Sequence, residues 1–366
     1  MARKIRVGIL FGGRSAEHEV SLQSAKNIID AIDTNKYQVV LIGIDKKGRW
    51  HLNEDSRFLL PATESGLPML PETGENLALV PGKQIEQLVA LSGEQRPGSL
   101  DVIFPVLHGP FGEDGTVQGL LKLANIAFVG AGVLGSAIGM DKDVMKRLLR
   151  DAGIPIARFL VMNRYSPKEI GFDDARDQLG LPLFVKPANL GSSVGIHKVK
   201  DRNEFERAIR DALSYDNKIL IEECIRGREI ECSVLGNEDP IASVPGEILP
   251  RHEFYSYEAK YLDENGAVLE IPAKLPPETS ERIRQLAINT FAVLCCEGMA
   301  RVDFFLRNDE QIIVNEINTI PGFTRISMYP KLWEATGISY SELIDRLIQL
   351  ALERFEREKR LKTDRT

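Results

Sequence analysis

The sequence has no run approaching the roughly 20 consecutive apolar residues that cross a bilayer, so no membrane span is expected. The N-terminus MARKIRVGIL is basic, but its apolar run is too short for a secretory leader, and it leads straight into Gly12-Gly13. Cysteine is scarce. Cys224, Cys232, Cys295 and Cys296 form no C-x-x-C motif, and the adjacent pair 295–296 is badly placed for a bridge. Reduced, buried thiols in the cytosol are the expectation. Excess positive charge is also absent, with 46 Lys and Arg against 53 Asp and Glu and a net charge of −7. That balance gives no general attraction to nucleic acid or to an anionic membrane, so neither is expected as a partner. An anionic substrate would need local positive charge instead. The chain also lacks an internal repeat, a low-complexity segment, a G-x-G-x-x-G turn and a Walker A loop.

What is present reads as an α/β protein. The 366 residues, 43% apolar and 27% charged, suffice for two or three domains with a sizeable core. A buried-type strand over 5–11 runs into Gly12-Gly13 and a helix over 21–32, an arrangement suited to a charged small molecule. Glu17 and Glu19 stand just before that helix, where the macrodipole favours acids in any case. A second strand covers 37–44. Residues 53–99 are rich in Pro, Gly, Ser and Glu and read as an irregular excursion. A strand over 101–107 ends in HGPFGEDG, placing His108 at a strand end beside a Gly-rich loop, a usual position for a site in an open sheet. A helix over 116–123 and a short strand over 127–130 complete an alternating pattern that indicates a parallel sheet.

A new unit begins near Gly130. Asp141 caps a helix to Asp151, and Lys142 lies in its first turn, where the dipole disfavours a cation, a placement that hints at an anionic ligand offsetting the cost. A strand over 183–186 brings Lys186 into the Gly/Ser loop PANLGSSVGIHKV, which fits a phosphate-covering hairpin or an ordinary solvated one. Helices are expected over 203–213, 278–294 and 340–360. A strand over 219–221 ends at Glu222, with Glu229 following Gly227. Both carboxylates suit the polar edges of a nucleoside or plain solvent. Residues 251–272, aromatic and charged without a period, suit a lid.

The stretch 301–327 carries the chemistry. Residues 302–306 and 311–317 predict two strands, with Asn308-Asp309 as their turn. Arg301 and Asp303 share one face by alternation, and Val314, Glu316 and Asn318 share a face of the second strand. An even-numbered connection would make those faces one. Two carboxylates and an amide oxygen would then suit a hard cation, most simply Mg²⁺ arriving with a nucleoside triphosphate.

These segments together resemble the D-alanine:D-alanine ligases of the ATP-grasp superfamily. The resemblance rests on FGGRSAEHEVSLQSA, HGPFGEDGTVQG, MDKDVMKRLL, LFVKPANLGSSVG, EECIRGREIECSVL, YEAKYLDENG and GMARVDFF…VNEINTIPGFTRISMYP, in the family's order. It implies a three-domain ATP-grasp fold. An open parallel α/β domain would cover 1–130, a central subdomain 131–221, and an α+β C-terminal subdomain, with the metal hairpin and lid, 222–366.

The resemblance also implies ligation of two D-alanines with ATP in peptidoglycan precursor synthesis, in the cytoplasm, by a homodimer. Lys142 and Lys186 would meet the phosphates. Glu222 would take the adenine amino group and Glu229 the ribose, with Glu223, Cys224 and Ile225 along the adenine edge. Lys260, Asn315 and Glu316 would complete the ATP site. Asp303, Glu316 and Asn318 would hold two Mg²⁺ ions, with Mn²⁺ able to substitute. Glu17 would bind the first ammonium, with Ser192 and Tyr261 hydrogen-bonded to it and His108 near the first substrate. Ser327 and Met328 would receive the second carboxylate. Arg301 and the Gly322 N–H would stabilise the oxyanion.

Three departures stand out from the family pattern: Leu190 for a polar residue, Glu223 for a lysine, and the added charge of Arg325. The competing readings are the same fold with a D-lactate acceptor, a non-catalytic nucleotide-binding module, and a biotin-carboxylase-like ligase. Tyr261 goes with the amine acceptor, the retained oxyanion arginine with catalysis, and the EHEVS and YEAKY loops with the peptide ligases.

Overall fold

A computed structural model describes residues 3–53, 70, 75–83, 86–92, 98–166, 170–250 and 267–362. Three sheets organise the described residues. The first has seven strands: β1 (Ile5–Gly12), β2 (Tyr37–Ile44), β3 (Trp50–Asn53), β4 (Glu75–Leu79), β5 (Leu88–Ala90), β6 (Val102–Val106) and β7 (Ala127–Phe128), in the order β5-β4-β3-β2-β1-β6-β7. Strands β2, β1, β6 and β7 are parallel, as the alternation with α1 (His18–Ala31) and α2 (Thr116–Leu123) predicts. The stretch read as irregular contributes more than expected. Its strands β4 and β5 extend the sheet as an antiparallel edge beyond β3.

Helices α3 (Val133–Met140) and α4 (Lys142–Asp151) lead to a four-stranded antiparallel sheet. Its strands are β8 (Phe159–Asn163), β9 (Leu183–Pro187), β10 (His197–Val199) and β11 (Lys218–Glu223), backed by α5 (Phe172–Leu179) and α6 (Arg202–Tyr215). Asp141 caps α4 as expected, accepting the Asp143 and Val144 N–H groups at 3.1 Å each. Met145 and Leu149 of α4 are buried in the core of the third sheet.

The third sheet comprises β12 (Arg228–Gly236), β13 (Ile241–Ala242), β14 (Gly246–Pro250), β15 (Ala267–Glu270), β16 (Gly298–Arg307) and β17 (Gln311–Asn318). Helix α7 (Pro277–Val293) packs beneath it, followed after the hairpin by α8 (Met328–Ala335) and α9 (Tyr340–Lys359). Ala300, Val302, Phe304 and Leu306 alternate into the core at 1% exposure or less. Each large apolar side chain buried there contributes about 1.5–3 kcal/mol. A one-residue slip would turn all of them to solvent, so this buried face fixes which residues of β16 point outward.

The hairpin connection differs from expectation. Arg307 pairs with Gln311, leaving three residues between the strands, with Asn308 and Asp309 both at positive φ. An odd count alone would set Asp303 opposite Asn315 and send Glu316 to the core face. A β-bulge between Asp303 and Phe304 corrects this: Phe304 pairs with Val314, but Asp303 pairs with Glu316. One extra residue on β17 shifts the alternation. The expectation that Val314 shares a face with Glu316 is therefore wrong. Val314 is fully buried with Phe304, while Glu316 and Asn318 join Asp303 and Arg301.

The C-terminal segments fold back on the first sheet. Phe323, Tyr329 and Trp333 join the core built by β1, β6 and α1. The Phe323 ring meets Phe104 edge-on at 5.8 Å. The Phe323 N–H donates to Ser24 Oγ at 3.2 Å. This docking brings 320–328 against the end of β6 and the N-terminus of α1.

Candidate active site

Two adjoining cavities lie where the three sheets meet. The first is walled by Glu17, His108, Glu113, Ser192, Glu231, Arg301, Glu316, Asn318, Gly322, Ser327 and Met328, among others. Glu17, at the N-terminus of α1, is buried and accepts a short hydrogen bond from the Ser192 hydroxyl. The Gly/Ser loop is thus pinned across the cavity to the N-terminus of α1. His108 is buried, and burial holds its imidazole pKa below the usual value. Its Nδ1 donates to the Ile320 carbonyl at 3.1 Å, and Nε2 faces Ser24 Oγ at 3.5 Å. The ring is a neutral wall that ties β6 to the segment after β17.

Glu113, in the Gly-rich loop beside His108, had been given no role of its own. It accepts the Gly109 N–H at 2.6 Å and the Ile320 N–H at 3.3 Å. Burial, then the neighbouring charge of Glu17, pushes its carboxyl up to about 8. Gly109 sits at φ +77°, and a side chain there would crowd Glu17 Oε2, which explains glycine at this turn. At the opposite end Ser327 precedes α8, so that helix's N-terminal N–H groups border the cavity, a setting suited to a carboxylate. Ser327 Oγ accepts the Thr324 N–H at 2.9 Å.

The second cavity shares Gly191, Ser192 and Glu316 with the first. Lys142, Lys186, Glu222, Glu223, Cys224, Ile225, Glu229 and Asn315 complete much of its wall. Lys142 Nζ donates to the Leu190 carbonyl at 2.6 Å and stands 3.5 Å from Glu316 Oε2. An anionic neighbour therefore offsets the unfavourable placement of this cation in the first turn of α4. Its pairing with Leu190 is through the main chain, so the apolar side chain at 190 does not remove that tie.

Glu222 lies between two lysines, 2.8 Å from Lys186 Nζ and 3.3 Å from Lys146 Nζ. Burial would raise its pKa, but the two ammonium groups outweigh it and hold the carboxyl below the usual range. Lys146 was missed by the sequence reading. It is wholly buried, and burial lowers its pKa to about 8 despite Glu222. Glu223 points the other way along β11. Its carboxylate accepts the Arg158 Nε–H at 2.9 Å and an Nη2–H at 2.8 Å, so its charge is directed to Arg158.

Along the hairpin, Asp303 accepts two bonds from Arg301, from Nε and Nη2, both at 2.7 Å. Asn318 Nδ2 donates to Asp303 Oδ2 at 3.0 Å. Asp303 and Glu316 face each other in register, with Asn318 opposite Arg301. Two carboxylates and an amide oxygen are hard donors in a partly buried position, a set that fits a divalent magnesium-type ion. Lys260 and Tyr261, and most of the expected lid, lie outside the described residues.

Comparison with known proteins gives the family. Residues 6–131 match the family described as D-ala D-ala ligase N-terminus, and residues 148–349 match D-ala D-ala ligase C-terminus. The chain belongs to the D-alanine–D-alanine ligase family. It is 57% identical over 363 residues to the D-alanine–D-alanine ligase of Oceanobacillus iheyensis, covering 99% of each chain. Its fold matches the D-alanine-D-alanine ligase of Coxiella burnetii with a TM-score of 0.85 at 39% identity, over 98% of this chain and 97% of that one. The Bacillus anthracis ligase crystallised with ATP matches with a TM-score of 0.72 at 28% identity, over 97% and 99%. The ATP-grasp fold expected from the motifs is therefore the fold of this ligase-family chain.

Within that frame, Glu231, like Glu113 and Lys146, is a charged group that sequence reading gave no role. Glu231 lies opposite Asp303 across β12 and β16 and sits 2.8 Å from Arg301 Nε. Its signal was the alternation Glu229, Glu231 along one strand, which places both on the cleft face.

Proposed function

We propose that this chain joins two D-alanine molecules to D-alanyl-D-alanine at the expense of ATP, forming ADP and phosphate for peptidoglycan precursor synthesis. The observation that carries the reading is the junction of the two cavities at Glu316, Ser192 and Gly191. A nucleotide held beside Lys186, Glu222 and Glu229 would present its terminal phosphate there, next to a substrate held by Glu17.

The chemistry answers a simple obstacle, because a carboxylate is a poor electrophile. The first D-alanine's carboxylate oxygen attacks the terminal phosphorus, the bond to ADP breaks, and an acylphosphate forms. Lys142 and Lys186 neutralise charge during that transfer. Asp303, Glu316 and Asn318 would hold two Mg²⁺ ions, or Mn²⁺ in their place, supplying further positive charge at the phosphates. The second substrate's ammonium gives a proton to solvent, and the free amine attacks the carbonyl carbon, with its own carboxylate at Ser327, Met328 and the N-terminus of α8; the remaining N–H proton leaves with the phosphate. Arg301 and the Gly322 N–H stabilise the tetrahedral oxyanion before phosphate leaves. Ser192 and Tyr261, the latter beyond the described residues, would hydrogen-bond with Glu17, pin both loops over the site and keep water from the acylphosphate, and Lys260, also beyond them, would belong to the ATP site.

We further read units over 1–130, 131–221 and 222–366, a homodimer and a cytoplasmic setting. Among the described residues no helix is long and apolar enough to cross a membrane. The deciding assay is product analysis after incubation with ATP, Mg²⁺ and D-alanine, D-lactate or no acceptor. D-alanyl-D-alanine with one ADP per peptide is expected. A depsipeptide alone, or ADP without condensation, would overturn the acceptor or the reaction.

A further inference from the structure

We propose that Glu231 is the positioning residue that keeps the Arg301 guanidinium in place when divalent metal engages Asp303. This inference rests on the role given to Arg301 above. Three carboxylates, Glu231, Asp303 and Glu316, stand in one row across β12, β16 and β17, each in register with the next. Arg301 lies among them. Its Nε–H donates to Asp303 Oδ1 and an Nη2–H to Asp303 Oδ2, both at 2.7 Å, while Nε also stands 2.8 Å from Glu231 Oε2 as an ion pair.

Asp303 thus has two tasks. It holds the arginine, and with Glu316 and Asn318 it offers oxygens to a cation. A cation drawing on both Asp303 and Glu316 sits on the β17 side of the row. Adjacent strands lie about 4.8 Å apart, so Glu231 is one strand spacing away from Asp303 on the opposite side and two from Glu316. Its carboxylate is engaged with Arg301 on the side of the row away from β17. Glu231 is also 6% exposed, so its charge is anchored by a partner rather than by water. Metal binding therefore weakens one of the two carboxylate holds on Arg301 and leaves the other intact. Fixed in this way, the guanidinium is oriented before the oxyanion forms, and no reorganisation is needed at that moment.

The test is a double-mutant cycle with Glu231→Ala and Arg301→Ala, repeated with the isosteric Glu231→Gln in case the alanine variant folds poorly. Two quantities are measured: kcat at saturating ATP, and the Mn²⁺ dissociation constant of the substrate-free protein. Glu231→Ala is expected to lower kcat about 30-fold with the KM for ATP nearly unchanged, and to weaken Mn²⁺ about tenfold, because Asp303 alone must then hold the arginine. In the Arg301→Ala background both effects of removing Glu231 should shrink to about twofold or less. Equal losses in both backgrounds would mean that Glu231 acts through its charge alone, and the proposal would fall. A loss of ATP affinity with kcat preserved would also overturn it. Absence of peptide formation by the unaltered protein would reject the ligase reading itself, separately from this inference.

Discussion

Arg301→Lys keeps the charge of the side chain and removes its shape. The guanidinium places two parallel bonds on Asp303 and a third contact on Glu231, all between 2.7 and 2.8 Å. An ammonium is a point donor on a flexible stem and reproduces at most one of these arms with the same aim. The lost quantity is orientation toward the oxyanion. Removing one oxyanion donor costs about 2.7–4 kcal/mol in comparable acyl-transfer sites, and lysine's retained charge places this variant near the lower end. That corresponds to roughly a hundredfold in kcat. Steady-state ADP release, with ATP and D-alanine varied separately, measures it. The KM for ATP should stay within about twofold, because the arginine faces the substrate cavity rather than the adenine end. A kcat within about threefold of the unaltered protein, at matched thermal stability, would refute the reasoning that the fork rather than the charge matters.

Glu316→Gln should cut turnover by about a hundredfold or more and weaken Mn²⁺ binding, since an amide carries no charge opposite Asp303; wild-type rates in saturating Mg²⁺ would contradict it. Tyr261→Phe should raise use of D-lactate relative to D-alanine, read as the ratio of the two products, and an unchanged ratio would remove tyrosine from acceptor choice. Glu113→Gln should alter the pH dependence of stability. The native carboxyl holds its proton up to about 8 while the unfolded one loses it near 4.5. Stability should therefore fall as pH rises between those values and level off above them, because the native state binds more protons there. The glutamine variant should lack that decline in urea midpoints, and parallel profiles for the two proteins would show that Glu113 does not titrate this way.

The sequence was most legible where burial enforces alternation. Strands β1, β2 and β16, the capped helix α4 and the cleft-facing Arg301 and Asp303 all follow from apolar spacing and turn chemistry. The agreement of Glu316 with that face was right for an incomplete reason. The turn has an odd count, and the bulge that restores the face depends on cross-strand pairing, which no single strand encodes. Strands β4 and β5 were hidden because runs of five and three residues are too short to show a period. Helix α8 was missed because Pro330 sits in its first turn, where proline is tolerated though it reads as a breaker. Lys146 and Glu231 look like ordinary surface charges in one dimension. Only packing shows one to be sealed beneath Glu222 and the other set against Arg301. Glu222 itself was expected to face the adenine, and its position between two lysines could not be read from its neighbours in the chain.

The central claim is that the first substrate's carboxylate is phosphorylated where the two cavities meet. D-alanine carrying heavy oxygen in its carboxylate tests this directly, with mass analysis of the phosphate released during peptide formation. One labelled oxygen should pass into each phosphate. Peptide made with unlabelled phosphate would mean that the amide forms without an acylphosphate, and the roles given to Arg301, Glu316 and the lysines would have to be rebuilt.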